Sequence, residues 1–205
     1  MTDYKQEIGK DTFYTVNHLW MLVTEYPKFE EMEHLFKLKQ SRIDESRYSY
    51  TNSGTQWPLD PDDWAKEQYD FFEWMQSKFD ELRLPFEIEC VLSSWAIDYN
   101  LNGFQTAHRH SYDALNPNGG EISCVINFDD VPSVEGNEVN GNLFTFIPAP
   151  NGYQYYEEHP SKRGQCIMMH GEVWHGVYPT LNQRRCIVID VKYKHRELPN
   201  DFDKE

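Results

Sequence analysis

His108 and His110 stand one residue apart in Gln105-Thr106-Ala107-His108-Arg109-His110, and His175 follows in Trp174-His175-Gly176-Val177. On an extended strand residues i and i+2 point to the same face, so this pair can offer two imidazoles to one centre. A distant histidine can then close one face of a transition metal's shell and leave the opposite positions open to substrates. Arg184 lies nine residues past His175, at the head of the apolar run Cys186–Val191. A guanidinium drawn into such a strand needs an anion. The chemistry expected from these residues is an open metal face beside an anion-binding arginine.

A second histidine motif does not survive inspection. His170-Gly171-Glu172-Val173-Trp174-His175 superficially resembles the zinc-protease pattern HExxH, which needs histidines four apart on one helical face with glutamate directly after the first. Here the histidines are five apart, a glycine intervenes and the flanks are β-like. The four cysteines, Cys90, Cys124, Cys166 and Cys186, are well separated, form no CxxC pair and sit in apolar stretches. They read as reduced core residues, not as a disulfide framework or a zinc site.

The elements that must position these groups divide near residue 85. Residues 1–85 are expected to form a helical or mixed N-terminal segment packed on the core. Residues 86–196 form the core itself, and 197–205 a polar tail, the whole being one domain. The clearest helix is Pro61–Leu82: Asp60 can cap it, Pro61 fits its first position, and Asp62 and Asp63 complement its dipole. Trp64, Phe71, Phe72, Met75, Phe79 and Leu82 then recur at helical spacing. Phe29–Arg42 is a second helix candidate, Phe13–Glu25 fits strand or helix, and Ser49–Trp57 reads as a loop.

From Phe86 onward, short β-like runs alternate with turn residues. The expected strands are Phe86–Leu92, Trp95–Tyr99, Phe104–His110, Ile122–Phe128, Leu143–Ile147, Cys166–Met169 and Cys186–Tyr193. Asn-Gly, Pro-Asn-Gly-Gly, Gly-Asn and Pro-Asn-Gly punctuate them. Many short strands at this spacing indicate a mainly β fold, a sandwich or barrel with helices packed outside.

Bulk properties narrow the function classes. The chain has 205 residues, 39% hydrophobic and 15% aromatic, enough for one well-buried domain. Its net charge of −15 is spread without a basic block, which disfavours nucleic acid as a partner. No apolar run is long enough to span a membrane, and the first residues carry no secretion-signal pattern, so the expected location is cytoplasmic.

Taken in order, residues 92–194 resemble the 2-oxoglutarate- and Fe(II)-dependent oxygenase superfamily, nearest its prolyl-hydroxylase-like members and HxH variants. The matching pieces run from Trp95-Ala96-Ile97-Asp98 through Asn102-Gly103-Phe104 to His108-Arg109-His110. They continue with Asn116-Pro117-Asn118-Gly119-Gly120, the strand Ser123–Phe128 and Gly141-Asn142-Leu143-Phe144-Thr145-Phe146. Gly164-Gln165-Cys166-Ile167-Met168-Met169 then leads to Trp174-His175-Gly176-Val177, Pro179 and Arg184. The resemblance implies a double-stranded β-helix, a jelly-roll or cupin-like core, holding Fe(II) near its open end. It implies His108 and His175 as iron ligands and Arg184 as the partner of the distal carboxylate of 2-oxoglutarate. Asn127 falls where related members place a tyrosine that helps hold this cosubstrate. The reaction implied couples oxidative decarboxylation of 2-oxoglutarate by O2, giving succinate and CO2, to hydroxylation or related oxidation of a second substrate that the sequence does not identify.

The departure is at His110, where the family has a carboxylate. His110 would complete a three-imidazole face, as in cupin-type metalloproteins; Asp113 or Glu121 could instead supply the carboxylate, and spacing favours His110. Trp174, Tyr112, Tyr155 and Tyr156 are candidates for the pocket wall, and Val131–Asn140 for a lid or a plain connection. Arg185 should face away from Arg184 as a surface charge. Two other readings compete: a cupin-like metal protein (a three-histidine dioxygenase or an isomerase) without 2-oxoglutarate, and a non-enzymatic β-sandwich binding module.

Overall fold

The computed structural model describes residues 5–16, 19–38, 51–110, 119–148 and 154–197. Eleven strands and one α-helix build it: β1 (Lys5–Ile8), β2 (Asp11–Val16), β3 (Leu19–Glu25), β4 (Thr51–Pro58), α1 (Ala65–Glu81), β5 (Phe86–His108), β6 (Gly119–Asn127), β7 (Leu143–Pro148), β8 (Gln154–His159), β9 (Gln165–His170), β10 (Trp174–Thr180) and β11 (Arg184–His195). Neighbours run β1-β2-β3-β9-β6-β11-β5-β10-β7-β8, with β4 on the far edge of β5. Every named pairing is antiparallel.

β5 turns this ribbon of strands into a barrel. Its first half, Phe86 to Tyr99, pairs with β11, and its second half, Gly103 to His108, pairs with β10. Between them Asn102 takes a left-handed φ of 61°, a conformation asparagine tolerates better than most residues. The Asn-Gly expected to break two strands therefore bends one long strand from a major sheet into a minor one. The result is the double-stranded β-helix.

The major sheet is buried on both faces. On β11, Cys186 and Val188 point into the barrel with Val125, Ile167 and Met21, while Ile187, Ile189 and Val191 point outward. The outer face is covered by Phe71, Met75 and Phe79 of α1 together with Trp20, Tyr26 and Trp57. This explains why β11 reads as an unbroken apolar run rather than an alternating one. At about 25 cal/mol per Å2, each fully buried side chain of this size contributes roughly 1.5–3 kcal/mol.

Several sequence expectations need correction. Ser49–Trp57 is not a loop: Thr51–Pro58 is β4, paired along residues 95–105 of β5. Its polar residues hid it, because backbone pairing to an existing edge requires no apolar alternation. Residues 13–16 and 19–25 are strand, extending the major sheet beside β9. The helix expected over Pro61–Leu82 starts as a short 3-10 turn, Pro61–Asp63, and becomes α-helical only from Ala65. Phe29–Leu38 is a 3-10 helix burying Met32 and Leu35; residues 39–42 of that candidate lie outside the described ones. Cys124, Cys166 and Cys186 are buried, but Cys90 is exposed on β5. Among the described residues no helix is long and apolar enough to cross a membrane.

Candidate active site

His108 and His175 face each other across a strand pairing, for His175 on β10 is registered opposite His108 at the end of β5. His175 is the second residue of β10. His110 lies just past β5, where its backbone N–H donates to the Gly171 carbonyl at 3.0 Å, in the turn between β9 and β10. That turn, closed by Val173 N–H on the His170 carbonyl at 2.8 Å, carries the chain from β9 to β10, two strands that do not pair with each other, so His170 and His175 share no helical face.

The three rings converge, with centroids 4.4–5.0 Å apart. One nitrogen of each lies within 4.8 Å of the other two. Their hydrogen bonds fix which nitrogen that is. His108 Nδ1 donates to the Thr106 carbonyl at 2.9 Å, and His175 Nδ1 to the Val173 carbonyl at 3.1 Å. His110 Nδ1 donates to Asp190 Oδ1 at 2.6 Å. Each Nδ1 carries the proton, and each Nε2 lone pair is left to face the centre.

His108 Nε2 and His110 Nε2 are 3.0 Å apart. Two nitrogens about 2.1 Å from one divalent ion and at right angles across it would be separated by about that distance. Burial holds the pKa of His108 below its ordinary value and that of His175 well below it, and neighbouring imidazoles push the same way. Both are therefore neutral, the state in which imidazole ligates a metal. The donor set fits a divalent cation.

The second expected feature lies deeper in the same cavity, whose wall includes Trp95, Tyr99, Gln105, Leu143 and Val177. Arg184, the first residue of β11, is fully buried. It donates to Asn127 Oδ1 at 3.0 Å and approaches Cys186 Sγ at 3.6 Å, with its guanidinium over the Tyr99 ring. Its Nε has no hydrogen-bond partner. Among the described residues its side-chain hydrogen-bond partners are Asn127 and Cys186, neither of them a carboxylate. A buried, unneutralised guanidinium with an idle donor fits a carboxylate entering from the cavity.

Asn127 is wholly buried and uses both ends, accepting from Arg184 and donating to Gln165 Oε1 at 3.1 Å. Its contact is with Arg184, which it orients. Arg185 does face the other way, yet it is no free surface charge. It is clamped by Asp129, 2.8 and 3.0 Å, and by Glu33, 3.0 Å, tying the 3-10 helix to β11.

Trp174 and Tyr156, offered as pocket walls, lie on the outside, 41% and 38% exposed. Strand alternation explains this: Trp174 precedes His175, so the two side chains point to opposite faces. Tyr155 packs, partly buried, against the apolar cluster inside the barrel. Asp113 and Tyr112 lie outside the described residues. Glu121 lies on β6 but is not one of the three converging donors. The Val131–Asn140 connection is pinned by Asn140, whose side chain bonds Pro132, Leu181 and Asn182.

Sequence reasoning missed Tyr99, Gln105 and Asp190. Tyr99 hydroxyl donates to Gln105 Oε1 at 3.0 Å, linking the arginine end of the cavity to the histidine end, where Gln105 lies 3.4 Å from His108. Asp190 was visible as the one acid within the run Cys186–Val191. An ionisable group in such a strand calls for a partner just as Arg184 does.

No protein-family model matches the chain, and no curated protein is similar to it in sequence. Solved structures do share its fold. It is similar to a prolyl-4-hydroxylase from Pseudomonas putida, with a TM-score of 0.55 and 12% identity over 86% of this chain and 92% of that one. It is similar to an oxidoreductase of the 2-oxoglutarate–Fe(II) oxygenase family from Burkholderia pseudomallei, TM-score 0.54, 15% identity, 85% and 84% covered. HygX from Streptomyces hygroscopicus, solved with nickel and 2-oxoglutarate bound, gives 0.56 at 12% identity, with 85% and 82% covered. At these identities the likeness is one of fold: the double-stranded β-helix of the 2-oxoglutarate oxygenases.

Proposed function

We propose that the chain is a non-haem iron oxygenase that couples decarboxylation of 2-oxoglutarate to hydroxylation, or a related oxidation, of a second substrate, consuming O2. The observation that carries this is the pairing of two features in one cavity. Three Nε2 lone pairs share a centre, and a buried guanidinium without a carboxylate lies farther in. An acidic cosubstrate would supply the anion that this buried guanidinium lacks.

His108, His110 and His175 would hold Fe(II), leaving its remaining positions to the keto acid, O2 and the substrate's approach. Bound iron supplies the oxidative chemistry; the protein's part is orientation and exclusion of water. Arg184 would take the distal carboxylate in its planar fork, oriented by Asn127 and braced by the Tyr99 ring. Leu143, Val177 and Val188 keep the wall between the two ends apolar.

The test is turnover. Protein supplied with Fe(II), 2-oxoglutarate and O2 should form succinate slowly even without a second substrate, and His175→Ala should not. Iron-loaded protein yielding no succinate above free iron overturns the proposal. Iron-dependent oxygen consumption indifferent to 2-oxoglutarate would favour the cupin-like reading.

A further inference from the structure

Three neutral imidazoles leave a divalent ion with more positive charge than two imidazoles and a carboxylate would. One buried carboxylate nevertheless touches the site. Asp190 interrupts the apolar run of β11, and its side chain is only 12% exposed. Its cross-strand neighbours are both serines, Ser93 on β5 and Ser123 on β6. Ser93 Oγ donates to Oδ2 at 3.1 Å, and His110 Nδ1 donates to Oδ1 at 2.6 Å. Ser123 Oγ approaches the same His110 nitrogen at 3.0 Å, and Trp95 lies against the His110 ring at 5.4 Å between centroids.

No lysine or arginine among the described residues pairs with Asp190; the His110 Nδ1–H and the Ser93 hydroxyl are its side-chain partners. The other two histidines are backed by neutral carbonyls, Thr106 and Val173. His110, the ligand at the position where a carboxylate is expected, is thus the one backed by an anion.

We propose that Asp190 is this site's carboxylate, displaced one hydrogen bond outward. It acts as a positioning residue. Through the Nδ1–H of His110 it fixes the ring's tautomer and orientation, strengthens Nε2 as a donor, and returns to the centre the negative charge that histidine at 110 removed. The short strand-borne polar island Ser93–Asp190–Ser123 exists to hold it. This inference rests on the three histidines binding a metal.

Co(II), titrated into the full chain against a competing chelator, is the probe. Wild type should bind one ion. Asp190→Asn keeps the shape and loses the charge; it should bind Co(II) roughly 10–100-fold more weakly, the usual cost of losing an outer partner of a ligand. Its metal-free melting temperature should not fall. Adding His110→Asp to Asp190→Asn places the carboxylate on the metal and should recover most of the affinity, which a merely structural role for Asp190 would not allow. Asp190→Asn binding as wild type does, or a double variant as weak as Asp190→Asn, overturns the role of Asp190 while leaving the metal reading intact. Wild type that takes up no Co(II) overturns both. If Asp190→Asn does not fold, Ser93→Ala tests the same line: several-fold weaker Co(II) binding supports it and unchanged binding overturns it.

Discussion

Arg184→Met should make the protein more stable and less able to bind 2-oxoglutarate at the same time. The wild-type guanidinium is fully buried, meets one amide oxygen at 3.0 Å and a thiol sulfur at 3.6 Å, and leaves Nε idle. Burying a charge without a counter-ion costs several kcal/mol, and replacing buried ionic groups by apolar ones of similar volume gains about 1–4 kcal/mol. Against this stands the loss of the bond to Asn127, which leaves a buried oxygen unsatisfied at about 1–3 kcal/mol. The net expected is a gain of about 1 kcal/mol in the ligand-free protein, read as a higher urea midpoint at unchanged slope. For the cosubstrate the sign reverses. Removing one partner of a desolvated charge pair costs about 2–5 kcal/mol, which is roughly 30-fold to several thousand-fold in Kd. Calorimetric titration of 2-oxoglutarate into metal-loaded protein measures it, with metal affinity as the control. A variant that is less stable than wild type, yet binds 2-oxoglutarate within threefold of it, would show that Arg184 is structural and that the argument from its missing anion is wrong.

Two further outcomes concern His159 and Gly176. His159 is buried beside Tyr14 and Thr145, and desolvation lowers its pKa from 6.5 to about 4. Between those values the unfolded chain binds a proton that the native one refuses. Stability is therefore complete above pH 6.5 and falls by up to about 3 kcal/mol as the pH drops to 4; His159→Gln should flatten this part of a urea-midpoint series, and an unchanged slope would contradict it. Gly176→Ala would put a Cβ 2.5 Å from Phe144 Cζ and 2.8 Å from the Gln105 carbonyl. Phe144 can turn aside but the β5 backbone cannot, so β10 must move away from β5, carrying His175 from His108. A loss of about 1–3 kcal/mol is expected, with metal affinity lower by an order of magnitude; equal affinity would show that the β5–β10 spacing does not set the site.

Much of this site was legible from residue order alone because each part obeys a local rule. The strand period of two put His108 and His110 on one side, and an arginine heading an apolar run had to be buried with an anion in prospect. The barrel was legible through its turns. What remained hidden depends on register. Asp190 reaches His110 only because β11 lies between β5 and β6 so that residue 190 stands between Ser93 and Ser123. Tyr99 meets Arg184 for the same reason. β4 escaped notice because a polar strand on an existing edge leaves no hydrophobic pattern. Trp174 misled because aromaticity next to a ligand suggests a pocket, whereas alternation sends it outside.

The central claim is that one cavity holds iron between three imidazoles and binds 2-oxoglutarate to that iron with Arg184 at the far end. Its most direct test is the visible absorption of the protein with Fe(II) and 2-oxoglutarate under strict exclusion of oxygen. A charge-transfer band should develop in proportion to the keto acid, saturate at one equivalent per iron, and vanish in Arg184→Ala at the same concentrations. Protein that holds one iron and shows no band at saturating 2-oxoglutarate would contradict the account.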